Sequence, residues 1–171
     1  YETGTQVCCS NARAFDGMSD KKIYKGYTRF NPEINELFFA KKVILVEGPE
    51  DRIAVTFHFQ HEGRIENRLE ELDYSIIVAG GKESIPFFQR VMNSFSIPYV
   101  VLHDLDIVDG ISSESKAMED RRNKEISDLL NGNRLVTFPV NLEKCFGYDG
   151  HMKDQYQAYQ FFSVAENFTK E

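Results

Sequence analysis

Three short runs of branched aliphatic residues constrain this chain more than any other feature: VILVE at 43–47, YSIIVA at 74–79 and YVVLHD at 99–104. Each is strand-length and apolar almost throughout, the pattern of strands buried on both faces. Gly48-Pro49 stops the first and Gly80-Gly81 the second, while Ile97-Pro98 separates the third from the segment before it. The intervening stretches have helical period. Ile53, Ala54 and Phe57 share a face in residues 50–61, and Ile85, Phe88, Val91, Met92 and Phe95 share one in residues 83–95. Strand–helix–strand–helix–strand predicts a parallel sheet with helices on both faces, the α/β class. A charged helix at 113–130, a further short strand at 135–140 (LVTFPV) and a helical tail from residue 154 follow. Ahead of the first strand, residues 22–30 read as a hairpin turning at Lys25-Gly26. Asn31-Pro32 reads as the cap and first residue of a short helix reaching Ala40.

At 171 residues the chain has room for one ordinary domain, or one and a fragment. No run approaches the ~20 apolar residues that span a bilayer, and no membrane partner is expected. Tyr1 stands where an initiator Met would, and no signal peptide is visible, so a piece of something longer is expected. The three cysteines, Cys8, Cys9 and Cys145, make neither a disulfide framework nor a zinc site, and a reduced, cytoplasmic setting is expected. A net charge of −7 excludes a passive polycation that binds nucleic acid by charge alone. The acidic excess is local. Residues 43–110 hold 12 Asp and Glu against 5 Lys and Arg, and the rest of the chain is balanced at 15 against 15. Part of this excess, residues 62–73, reads as a solvated helix face.

In an open parallel sheet, ligands bind beyond the carboxyl ends of the strands. Those ends are Glu47-Gly48, then Gly80-Gly81-Lys82, then His103-Asp104-Leu105-Asp106. Asp51 lies on the first turn after Glu47, so its carboxylate can return to the same edge. Asp104 and Asp106, two apart in extended chain, are expected to point the same way. Four carboxylates converging there would repel one another by several kcal/mol unless cations neutralised them. Oxygen-only donors suit Mg²⁺ or Mn²⁺. Each residue also has an ordinary reading: Glu47 against a helix dipole, Asp104 in a turn, Lys82 as a surface lysine, Glu143 in NLEK as a solvated helix residue. GGKES is not a phosphate-binding P-loop, which needs Gly in place of Ile76 and Ser or Thr in place of Glu83. The Asp104–Gly110 run is not a calcium loop, since its glycine arrives one residue late. His58 and His61 lack an acidic third ligand and read as ordinary histidines.

VILVEGPED, IIVAGGKES and VVLHDLD together resemble the three signature segments of a Toprim domain: Glu-Gly after strand one, a glycine turn after strand two, D-x-D after strand three. NPEINELFFAKKVILVEGPED resembles most closely the OLD (overcoming lysogenization defect) nucleases, and the resemblance runs from about residue 31 to residue 147. It implies hydrolysis of DNA phosphodiesters with two Mg²⁺ or Mn²⁺ ions. Glu47, Asp51, Asp104 and Asp106 would be metal ligands, with Glu143 at the family's later acidic position. Of these, Glu47, Asp104 and Asp106 would carry the chemistry, and Gly80, Gly81 and Lys82 would contact phosphate or DNA. It further implies residues 1–41 as the tail of an upstream ATPase domain with a linker helix and 42–148 as the Toprim domain, with a helical segment at 111–133. Residues 149–171 would then begin a C-terminal helical segment. ATP would act only through that upstream domain, the other partners being DNA and, compatibly, a second copy in a homodimer. The rival readings are a recombination-mediator-like binding module and the Toprim of a topoisomerase or primase.

Overall fold

The aliphatic runs form strands in the computed structural model, which describes residues 13–28, 32–61 and 74–168. They are β1 (Lys42–Val46), β2 (Tyr74–Val78) and β3 (Tyr99–Asp104), joined by β4 (Arg134–Phe138). All pairings are parallel, in the order β2-β1-β3-β4. The chain therefore leaves β1 to one side for β2 and returns on the other side for β3. That reversal puts the topological switch between β1 and β3, where a crevice opens at the carboxyl ends of the strands. Glu47 directly follows β1, and Asp104 is the last residue of β3. β4 stops at Phe138, short of the expected residue 140, because Pro139 has no N–H to give the ladder.

Alternate residues of the strands feed two cores. Val43, Leu45, Ile77 and Val101 pack with Phe88 and Met92 of α4 (Ile85–Ser94) and Ile126 of α5 (Ser113–Asp128). Ile44 and Val46 pack on the opposite face with Val55 of α3 (Pro49–His61). Burying each such side chain contributes about 1.5–3 kcal/mol, so the strands are fixed from both sides. Ala54 of α3 packs with Leu142 of α6 (Leu142–Cys145) and with Ala158 and Phe162 of α7 (Gln155–Phe162). Helix α3 begins one residue ahead of the expected 50, with Pro49, whose missing N–H costs nothing there, at its first position. Asp51 reaches back to accept the Gly48 N–H at 2.7 Å, the reciprocal half of a capping box.

The expected hairpin at 22–30 is instead a helix, α1 (Asp20–Tyr27), whose Ser19 cap accepts the Lys22 N–H. Gly26 is not a turn residue. It is buried in the last turn of α1, directly under the Phe87 ring, where a Cβ has no room. The next helix, α2 (Pro32–Asn35), is shorter than expected and continues as a 3₁₀ turn, Glu36–Phe38. The segment expected as a helix over 83–95 opens with a 3₁₀ turn, Lys82–Ser84, before α4 proper. The Asn31 cap, the 62–73 helix face, Cys8 and Cys9 lie outside the described residues. Among the described residues, no helix is long and apolar enough to cross a membrane.

Candidate active site

The glycine pair after β2 is built around Glu47. Gly80 has φ 75° and Gly81 φ 119°, both in the region that glycine occupies without strain. This shape turns both N–H groups onto the Glu47 carbonyl, at 3.0 and 2.9 Å. Gly80 and Gly81 were expected to contact phosphate or DNA; their N–H groups are spent on the Glu47 carbonyl. Lys82 also departs from the expected outward contact. Its ammonium is buried, with the side chain only 5% exposed, 2.9 Å from Asp106 Oδ2 and 3.0 Å from Glu119 Oε2.

The acidic residues divide into two groups that meet at Glu47. Asp51, Asp104 and Glu143 form one group. Burial pushes the Asp104 carboxyl up to about 8, helped by the charges of Asp51, Glu47, Asp106 and Glu143. Burial likewise takes Asp51 up to about 7 against the lowering effect of the Gly48 N–H, with Glu47, Glu143 and Glu50 adding repulsion. The other group, Asp106 and Glu119, is gathered on Lys82. Glu47 is raised by burial and then by Asp106, while the Lys82 charge and backbone N–H oppose the rise. Glu47 Oε2 is buried and has no hydrogen-bond partner.

Asp104 and Asp106 do not share a direction as expected, because β3 ends at Asp104 and Asp106 takes a left-handed φ of 57°. The turn sends Asp106 to Lys82 and leaves Asp104 facing Asp51. Glu143 is buried rather than solvated. It sits in the first turn of α6, capped by Asn141, and its Oε1 accepts the Met152 N–H at 3.4 Å beside His151. Burial and the Asp104 charge raise the Cys145 thiol, which keeps it protonated rather than nucleophilic. Among the described residues, no three His, Cys, Asp or Glu side chains are drawn together as a formed metal site. Asp51 is held by its helix cap and Asp106 by Lys82.

Two buried residues were missed in the sequence. Glu119 is 8% exposed, with Oε1 ion-paired to Arg122 and Oε2 to Lys82. The one available signal was its position seven residues before Ile126, on the inward face of α5. His103, 2% exposed, bonds through Nδ1 to the Asp104 carbonyl at 2.8 Å, and its Nε2 is buried without a partner. Its pKa is lowered by burial, which favours the neutral ring.

The donor set is chemically suited to a hard divalent cation. It is all carboxylate oxygen, it includes a buried oxygen with no partner, and the strongest charges acting on Asp51 and Asp104 are negative.

Residues 38–106 match the family described as "Overcoming lysogenization defect protein-like, TOPRIM domain". An OLD nuclease of Thermus scotoductus (strain ATCC 700910 / SA-01) is 28% identical over 137 residues, covering 74% of this chain and 25% of that protein. The chain thus spans a quarter of the length of this curated relative. Among solved structures, the C-terminal region of the Burkholderia pseudomallei OLD protein is similar at 19% identity and TM-score 0.46, covering 72% of this chain and 71% of that one. The corresponding region of the Xanthomonas campestris pv. campestris OLD protein is similar at 19% identity and TM-score 0.41, covering 77% and 73%. The segment that carries Glu47, the glycine turn, Asp104 and Asp106 is the one that matches the OLD-like Toprim family.

Proposed function

We propose that the chain is the catalytic part of a divalent-cation-dependent DNA endonuclease, working within a longer OLD-type protein that has an upstream ATPase domain. The supporting observation is the electrostatic position of Glu47. It lies at the topological switch between Asp51 and Asp104 on one side and Asp106 on the other, with one carboxylate oxygen buried and unpartnered. Glu47, Asp51, Asp104, Asp106 and Glu143 would hold a pair of Mg²⁺ or Mn²⁺ ions. When bound, these ions supply the positive charge that draws in the scissile phosphate and the acidity that makes hydroxide available near neutral pH.

The chain's own part is to hold these oxygens in place. The glycine turn fixes the backbone of Glu47 through its carbonyl, and the Lys82 N–H donates to its carboxylate, while Oε2 keeps no partner. Lys82 restrains Asp106, and the Met152 N–H restrains Glu143. The 25% coverage of the Thermus relative supports a larger whole protein, in which ATP would act on a separate domain.

A second reading is a binding module that recruits partners without cutting. It draws support from the lack, among the described residues, of a ready-formed group of three ligands. The test is Mn²⁺-dependent nicking of supercoiled plasmid by wild type and Glu47→Gln. Nicking by wild type that is lost in the variant supports the nuclease; Mn²⁺ binding with no nicking, also in the longer protein, supports the binding module.

A further inference from the structure

Lys82 and Glu119 form a buried pair whose place is not explained by the core. Both side chains are 10% exposed or less, whereas the Asp106 side chain they reach is 43% exposed. The pair is firmly anchored: Glu119 also holds Arg122, and Arg122 holds Glu83 at 3.0 Å. From that anchor Lys82 touches two of the acidic residues at the switch point. Its backbone N–H donates to the Glu47 carboxylate, and its ammonium holds Asp106 in the left-handed turn after β3. Burying two opposite charges costs several kcal/mol per ion before their attraction offsets it. A fold has little reason to keep such a pair beside a half-exposed aspartate unless the position of that aspartate matters.

We propose that Lys82, anchored by Glu119, is a positioning residue that orients Asp106 and Glu47 for a divalent cation. This rests on the metal-binding reading above and extends it to residues that would not touch the ion themselves. Lys82 occupies only Oδ2 of Asp106, so the carboxylate can be shared between the ammonium and a cation. Partners in this outer layer set ligand direction, and their loss typically weakens metal binding by about 10–100-fold.

Charge and position can be separated, because Lys82→Met/Glu119→Met leaves the local net charge unchanged. It also replaces the buried pair by apolar groups of similar volume, a change that folds commonly tolerate. Mn²⁺ affinity is read by electron paramagnetic resonance, and the melting temperature without metal by circular dichroism. The expected result is Mn²⁺ binding weakened by about tenfold while the metal-free fold is retained. Glu119→Gln, which keeps the shape of the anchor, serves as the second variant should the double one fail to fold. It is expected to weaken Mn²⁺ in the same direction, since Lys82 then competes harder for Asp106. Mn²⁺ affinity at or above the wild-type value in a folded variant overturns the positioning role and leaves the metal site standing. No Mn²⁺ binding by wild type overturns both.

Discussion

Asp51 is the strongest charged neighbour of Asp104, although one opens a helix and the other closes a strand 53 positions later. Their charges act on each other because β1 and β3 are adjacent and parallel, so the turn that leaves β1 starts beside the end of β3. Burial raises both carboxyls, to about 7 and about 8, and the repulsion between their charges adds to the rise of Asp104.

That pair predicts an unusual pH dependence in the absence of metal. Carboxyls ionise near pH 4 in an unfolded chain, but Asp51 and Asp104 hold their protons in the folded state up to about 7 and about 8. Between those limits the folded state binds more protons than the unfolded one, so their contribution to stability falls as pH rises. The metal-free protein should melt at a higher temperature at pH 5.5 than at pH 8.5, and Asp51→Asn/Asp104→Asn should flatten the slope. An unchanged slope in that variant would show that these two carboxyls are not the source.

Divalent cation should reverse the trend. At pH 8 both carboxyls are increasingly available as ligands, and a bound ion stabilises by mass action, about 2.7 kcal/mol at a hundredfold excess over Kd. A Mn²⁺ titration followed by thermal melting should shift wild type upward and leave Asp104→Ala/Asp106→Ala nearly unmoved. Equal shifts in the two proteins would place the metal elsewhere.

The glycine turn gives a test of backbone geometry alone. Gly81 has φ 119° and ψ 150°, and a Cβ built there meets nothing within 4 Å. Gly81→Ala therefore adds no clash, only a conformation that side-chain-bearing residues rarely adopt. The expected cost is about 1–3 kcal/mol, or roughly 2–4 °C in melting temperature for each kcal/mol. A melting temperature equal to wild type would mean that the turn takes another shape.

Gly26→Ala tests the docking of α1 in a different way, through volume. The added methyl group has no space against the Phe87 ring, and overpacking of this kind costs about 1–3 kcal/mol. Phe87→Leu combined with Gly26→Ala should recover part of the loss. Failure of the pair to interact in a double-mutant cycle would put α1 away from α4.

The strands and the acidic edge were legible because each is a local signal. A run such as VILV can hardly be anything but a buried strand, and strand alternation with helices sets the parallel sheet. What was hidden depends on contacts between distant segments. Gly26 looked like a turn because glycine marks turns more often than it marks a helix surface under a ring. Lys82 looked like a phosphate contact because its partner Glu119 lies 37 positions away in a helix where most charged neighbours are exposed. Asp104 and Asp106 were expected side by side, and only the left-handed φ of Asp106 separates them. Glu143 was visible through family resemblance alone, since nothing in NLEK announces that its carboxylate is buried.

The most direct measurement is Mn²⁺-dependent nicking of supercoiled plasmid by wild type and Glu47→Gln under identical conditions. The substitution keeps the shape of the side chain and removes the charge between the two acidic groups. Nicking should fall by at least about 10²-fold, the scale lost with a positioned catalytic group. The metal-free melting temperature should hold or rise as like-charge repulsion is relieved. Nicking at the wild-type rate by a folded Glu47→Gln protein would contradict the account.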